Sequence, residues 1–362
     1  MWPPLRSLLN RALGHLLLRL RGKRDISKIF RSATVLRIAC AVLILQPTVP
    51  VQTPDEETAL PLTSTDQVVI RKAGSGRTTT IPGVIEDMAG QTIVLRRSGN
   101  TIDVFSWREI ASVRFQKSAE FEDGLRKLRN RDWDGAVAAF HAAAAIEPRK
   151  WAVREIRASM AQALRASGQL EESLETVEEI LSDDPNTRHV LELPLVWDER
   201  LPAQHRISLG AADLRSDSLA RQLTAASALL QDPEHQAAAI STLQSLRKTA
   251  RGRLQELAET QLWRVRLLRP GELRESEIAQ WSERVRDFER RTRSGPEFII
   301  GRSLLLLHDY DNAAASLLWM PLLEPLDPPT TTASLTDAMT ALERSGRTAE
   351  AARLRQDFAD DK

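Results

Sequence analysis

The stretch KSAEFEDGLRKLRNRDWDGAVAAFHAAAAIEPRK, residues 117–150, decides the fold. It reads as two helices joined by the turn Asp132-Trp133-Asp134-Gly135. Gly124 in the first helix and Ala136 in the second are small residues placed where two helices can touch. Phe140 fills the space beside them, Ala143 recurs one turn later, and Pro148 stops the second helix. A helix pair of this size cannot bury its apolar side alone, so such units stack.

The spacing returns further along. Ala161, Gly168-Gln169-Leu170-Glu171-Glu172-Ser173, Val177, Ile180 and Pro185 repeat it. Pro148 and Pro185 stand slightly further apart than an ideal repeat allows, so the turn between units is expected to stretch around Trp151. Gly301, Asp309-Tyr310-Asp311-Asn312-Ala313, Leu317 and Pro325 form another copy, opened by Ser294-Gly295-Pro296-Glu297. Ala338, Leu342, Gly346 and Ala351 form a degenerate last one, with Arg353, Arg355, Gln356 and Asp357 giving the polar outer side of a terminal repeat.

Over 117–187 and 294–362 the chain resembles the tetratricopeptide repeat (TPR) superfamily. Lys127 and Glu120 depart from it, standing where an aromatic residue and Trp are usual. The resemblance implies a mainly α fold, a TPR-like α-solenoid, whose first helices line a groove for a protein or peptide partner. It places Phe121, Leu125, Arg129, Gln162 and Arg165 on that groove. The pattern that clamps a C-terminal carboxylate uses Lys and Asn, and Phe121 and Leu125 stand in their places, which disfavours that use.

Between the copies, Ser218–Leu230, Asp232–Arg247, Arg253–Leu268 and Glu272–Arg291 show apolar spacing of three and four. They read as divergent repeats over 216–293, with Asp232-Pro233-Glu234 as a helix start and Pro270-Gly271 as a break. Residues 188–215, with Pro194 and Pro202 and few helix signals, read as a linker. The paired units before it occupy 118–187.

N-terminal to the repeats the period changes from helical to alternating. Gln67–Lys72, Thr78–Glu86, Gln91–Arg97, Thr101–Trp107 and Glu109–Gln116 predict five short strands separated by Gly-containing turns. Pro82-Gly83 marks a bend, so residues 66–117 look like a small SH3-like or Sm-like β-barrel. Eight basic residues against five acidic ones, with Phe105, Trp107 and Phe115 the only aromatics, make a poor stacking platform for bases. Nucleic acid is not the expected partner, whereas a protein contact by this module is an alternative to the groove. The change of period suggests that the module and the repeats fold independently.

Residues 52–65 read as a polar linker, and residues 1–51 as a basic leader ending in the apolar run Ile38–Leu45 and the breakers Pro47 and Pro50. Nine of the chain's 50 Lys and Arg lie in residues 1–37 beside one acid, Asp25, so the body beyond is net acidic. This is the layout of a signal or anchor segment, and whether it is cleaved or retained stays open. The expected location is the periplasmic side of a cell envelope, and the whole arrangement is similar to that of exported bacterial TPR proteins. The lone Cys40 excludes a disulfide within the chain, and its position before most of the apolar run disfavours lipid attachment.

The six histidines, His15, His141, His189, His205, His235 and His308, make no metal-ligand spacing. Gly74-Ser75-Gly76 lacks the Lys and hydroxyl of a phosphate loop, and no nucleophile elbow occurs. No cofactor, small-molecule substrate or catalytic residue is expected. The chain reads as a non-enzymatic interaction scaffold, with an adaptor acting through the β module, or an enzyme with an unrecognised site, as alternatives.

Overall fold

The computed structural model describes residues 66–71, 77–202 and 206–359. The leader, Cys40, the first linker, His15 and His205 lie outside the described residues. Strands β1 (Asp66–Arg71), β2 (Thr78–Ala89), β3 (Thr92–Arg96), β4 (Ile102–Ser106) and β5 (Ile110–Arg114) form one antiparallel sheet in the order β4-β3-β2-β1-β5. β2 runs on past the expected Glu86 because it serves two neighbours. Its first half pairs with β1, Asp66 opposite Gly83, and its second half with β3, Ala89 opposite Thr92. The bend between them falls at Gly83, where a Cβ would lie 2.6 Å from the Arg96 carbonyl oxygen. A register shift between Ile85 and Asp87 turns the strand further. The bent sheet wraps Val68, Ile85, Met88, Ile93, Leu95 and Ile110, the inward set of each alternating strand.

The first repeat is α1 (Ala119–Arg129) and α2 (Trp133–Ile146). Ser118 caps α1 by accepting from the Phe121 amide, and Asp132 caps α2 by accepting from the Gly135 amide. A Cβ on Gly124 would sit 2.5 Å from the Phe140 ring, so glycine there lets the two helices close. Ala136, Phe140 and Ala143 are fully buried. The second repeat is α3 (Lys150–Ser167) and α4 (Leu170–Asp183). Beyond it come α5 (Leu219–Leu229), α6 (Gln236–Thr249), α7 (Gly252–Leu267), α8 (Glu275–Asp287), α9 (Ser294–Leu306), α10 (Tyr310–Leu317), α11 (Trp319–Leu323), α12 (Pro328–Arg344) and α13 (Thr348–Ala359). In the later copy a Cβ on Gly301 would meet Leu317 at 2.6 Å, the same contact at the same separation as Gly124 with Phe140. The helix expected to run to Pro325 breaks after Leu317, because the Pro321 ring opposes the carbonyl four residues back.

The turns inside four of the helix pairs, α1–α2, α3–α4, α9–α10 and α12–α13, each hold one residue in the left-handed region. Gly168 and Gly346 supply it in two of them, but Arg131 (φ 61°) and His308 (φ 64°) hold it in the others. A side chain pays a steric penalty there that glycine avoids. Arg131→Gly and His308→Gly are each expected to stabilise the chain by about 0.5–1 kcal/mol, read as a higher urea midpoint at unchanged slope.

Among its described residues, the segment expected as a linker, 188–215, has 3-10 turns at Arg188–Glu192 and Asp213–Arg215 and is otherwise irregular. It is not a solvated linker. Val190, Leu193, Leu195, Trp197, Ile207, Leu209 and Leu214 all belong to the main helical core, and Val196 is buried beside them. Extended backbone is tolerated there because neighbouring helices satisfy its polar groups, as described below.

Candidate partner-binding site

Adjacent helices pack as pairs, and alternate helices also touch: α1 with α3, α5 with α7, α7 with α9, and α9 with α12. These first helices therefore form a row of their own in the N-terminal pair, α1 and α3, and another from α5 through α7 and α9 to α12. The five residues expected on the N-terminal row fall into three groups. Phe121 is 3 % exposed, with its ring set edge-on to Phe140 and tilted against Phe115, so it is core beneath the row. Leu125 is half-buried against the same cluster. Arg129 and Gln162 are exposed. Arg165 is already engaged: its guanidinium donates to the Leu191 carbonyl at 3.2 Å and pairs with Glu192 at 3.0 Å.

That engagement begins a longer one. Glu155 on α3 meets Arg188 and His189, the latter with Nε2 2.8 Å from Oε1. Burial would push the Glu155 carboxyl up, but His189 and Arg188 outweigh it and hold the pKa down at about 2. A carboxylate depressed in the fold stabilises above its ordinary range and loses that contribution as pH falls from about 4.5 toward 2. Glu155→Gln is expected to flatten this acid limb while lowering stability at pH 7, measured by urea titrations across pH 2–7.

From Leu193 to Arg200 the chain then crosses the remaining first helices. The Val196 amide donates to Ser227 Oγ on α5 at 2.9 Å. The Val196 carbonyl accepts from Arg264 Nη1 on α7. The Trp197 ring covers Gly295 on α9, where a Cβ would lie 2.3 Å from it. Asp198 and Glu199 both accept from Arg302 on α9, at 3.1 and 2.5 Å. Arg200 makes a two-pronged pair with Asp337 on α12, at 2.7 and 3.0 Å, and folds back on Asp198. Burial pushes the Asp198 carboxyl up, but Arg200 foremost and Arg302 with it hold it low.

Arg264 is fully buried, and burial pushes its pKa down to about 10, against the pull of Glu199 and Asp198. Its Nη1 serves Val196, Ser227 and Gln261, while Nε and Nη2, the edge that takes a carboxylate two-handed, have no protein partner. Glu199 Oε2, Gln261 Nε2 and Thr224 Oγ1 are likewise buried without one.

The repeats and the β module are joined through α3. Trp151 is buried in the β core and its indole N–H donates to the Ile85 carbonyl at 3.2 Å. Arg154 reaches Asp87 Oδ1 at 2.8 Å and the Met88 carbonyl at 3.1 Å. Beside this junction lies a cleft of about 480 Å³ lined by Gly90, Gln91, Asp184, Asn186, Arg251 and Arg253. Arg253 is tied to Glu289, and Asp184 accepts from the Gly90 amide. On the far side of the module, Ile102 and Val104 of the edge strand β4 are 56 and 61 % exposed.

Among the described residues no cluster of His, Cys, Asp or Glu could hold a metal ion, and no helix is long and apolar enough to cross a membrane. His141 and His308 are exposed, the latter bonded to the Tyr310 hydroxyl.

The pairing of helices and the row of first helices define a helical-repeat protein. Residues 127–193, which run from the end of α1 through α4, match the family model described as tetratricopeptide repeat, and these first two pairs belong to that superfamily. No curated protein matches the chain.

Residues Trp197 to Arg200 were missed from sequence. The signal was there: Leu193, Leu195, Val196 and Trp197 crowd four large apolar side chains into a supposed linker, and solvated linkers are polar.

Proposed function

We propose that the protein is a non-enzymatic scaffold that binds a protein or peptide partner on the first-helix row of its N-terminal repeats. The observation that carries this is the stacking of the two helix pairs α1–α4, on whose first helices Arg129 and Gln162 are exposed and Leu125 is half-buried. The basic leader supports an exported location on the periplasmic side of the envelope. Protease added to spheroplasts should then digest the body while cytosolic markers survive, and equal protection of both would remove the export claim.

Binding is tested by affinity purification of the full chain from membranes, with Arg129→Glu/Gln162→Glu in parallel. Partners captured by wild type and lost from the variant support the row. Retention of every partner by the variant refutes it. Arg129→Ala alone should change stability by no more than about 0.5 kcal/mol, because the side chain is exposed and makes no burial contribution.

A second reading has its own observation. β4 is an edge strand with two exposed β-branched side chains, an arrangement that folded proteins usually blunt with charge. If Ile102→Thr/Val104→Thr, and not the α1–α3 variant, abolishes capture, the β module makes the contact and the chain is an adaptor.

A further inference from the structure

The first-helix row of the C-terminal repeats is already covered, and by the chain itself. Residues 193–200 have no regular secondary structure, yet they meet four successive first helices in the manner of a bound peptide. Ser227 of α5 and Arg264 of α7 hold the main chain at Val196. Gly295 of α9 forms the notch for Trp197. Arg302 of α9 takes Asp198 and Glu199, and Asp337 of α12 takes Arg200. Without the segment, those arginines, the aspartate and the notch would line an open channel. Its chemistry would select an aromatic side chain followed by acids and then a base.

The resident segment does not exhaust the site. The Nε and Nη2 edge of Arg264 has no protein partner, and neither do Gln261 Nε2 and Thr224 Oγ1 on the same helices or Glu199 Oε2 on the segment itself. These are mostly donors, and a guanidinium edge is matched by a carboxylate. Arg200, which ties the segment to the far end of the array, keeps 46 % of its side chain exposed.

We propose that the first-helix row of α5, α7, α9 and α12 is a receptor for an extended aromatic–acidic protein segment, that the chain's own Trp197-Asp198-Glu199-Arg200 occupies it as a resident ligand, and that a partner segment carrying a further carboxylate for Arg264 displaces it. This rests on the reading of the repeats as a partner-binding array, but names a different part of the array and the chemistry it accepts. A tethered occupant competes at high effective concentration, so the site is masked toward free peptides until the occupant is released.

Two measurements on the full chain test this. The first is hydrogen exchange of wild type under native conditions. Amides of residues 195–201 should exchange at least about tenfold faster than those in the middle of α5, α7 and α9, as a locally releasable segment requires. The second is binding of a fluorescent peptide of residues 191–202 to wild type and to Trp197→Ala/Asp198→Ala. The variant, its own ligand weakened, should bind the peptide at least about tenfold more tightly than wild type does. The same peptide with alanine for its tryptophan should bind neither. Exchange of 195–201 only at the rate of the flanking helices marks the segment as permanent core and overturns the proposal. So does a helical variant that fails to take up the peptide. If the variant does not fold, the wild-type exchange rates decide alone. Partner capture that depends on Arg129 and Gln162 beside slow exchange of 195–201 would sink this inference and leave the scaffold reading intact. Peptide uptake without any captured partner would do the reverse.

Discussion

Trp151→Ala is expected to cost about 3–5 kcal/mol and to loosen the β module and the first repeats together. Trp151 belongs to helix α3 by sequence and to the β core by position, packed among Val68, Ile85, Ile93 and Leu95. Its ring stands edge-on to Phe115 with centroids 5.0 Å apart, and Arg149 covers it at 4.9 Å. Truncation leaves a cavity the sheet cannot close. It also removes the donor for the buried Ile85 carbonyl, which sits at the β2 irregularity. Residues 66–117 alone are therefore expected to stay unfolded, and residues 66–187, carrying the tryptophan, to fold. Strand and helix signals in circular dichroism should fall at the same urea concentration in wild type and shift together in the variant. A loss under about 1 kcal/mol, or a folded 66–117 fragment, would show that the module stands without its plug.

Phe140→Ala is the second large effect, at about 3–5 kcal/mol, because the ring is fully buried between α1 and α2. Gly124→Leu attacks the same contact from the other side. It drives a side chain into the ring against which even a Cβ would stand at 2.5 Å, and is expected to cost about 1–3 kcal/mol or more. Ala136→Leu falls in the same range, since that residue is also fully enclosed. The pair Gly124→Leu and Phe140→Ala should be non-additive, the new leucine filling part of the space the phenylalanine leaves. A double variant less destabilised than the sum by at least about 1 kcal/mol identifies a direct contact. Strict additivity would mean that the two residues do not share one cavity.

Much of this fold is legible because its signals are local. Small residues at Gly124, Ala161 and Gly301, each with its larger partner one helix later, mark where helices touch, and five alternating runs mark the strands. What sequence cannot show is which module a side chain joins once the chain has turned. Trp151 reads as a stretched turn residue because nothing nearby says that a sheet lies over it. Phe121 and Leu125 illustrate the converse. Their register puts them on the first helix, but the β module brings Phe115 over one edge of α1 and turns Phe121 into core. Arg165 carries a charge expected to meet a partner and instead meets Glu192, a residue from the supposed linker. The apolar crowding of 193–197 marks the segment as buried, but sequence does not show where it docks, because irregular backbone has no period and its partners Arg264, Arg302 and Asp337 lie far along the chain.

Stacked repeats ordinarily contact only their neighbours, so they can fray from either end and unfold in stages. The pair between Arg200 and Asp337 joins residues 137 positions apart and spans the array from its middle to its last unit. With that thread seated, loss of the terminal helices strips partners from a segment the central helices also need. The C-terminal units should then melt as one block rather than in sequence. They should also fold slowly for so helical a chain, since a long loop must close before the thread gains its contacts. Release of the thread would return the same helices to the looser behaviour of a simple repeat array, so whatever occupies this row also sets how stiff the protein is.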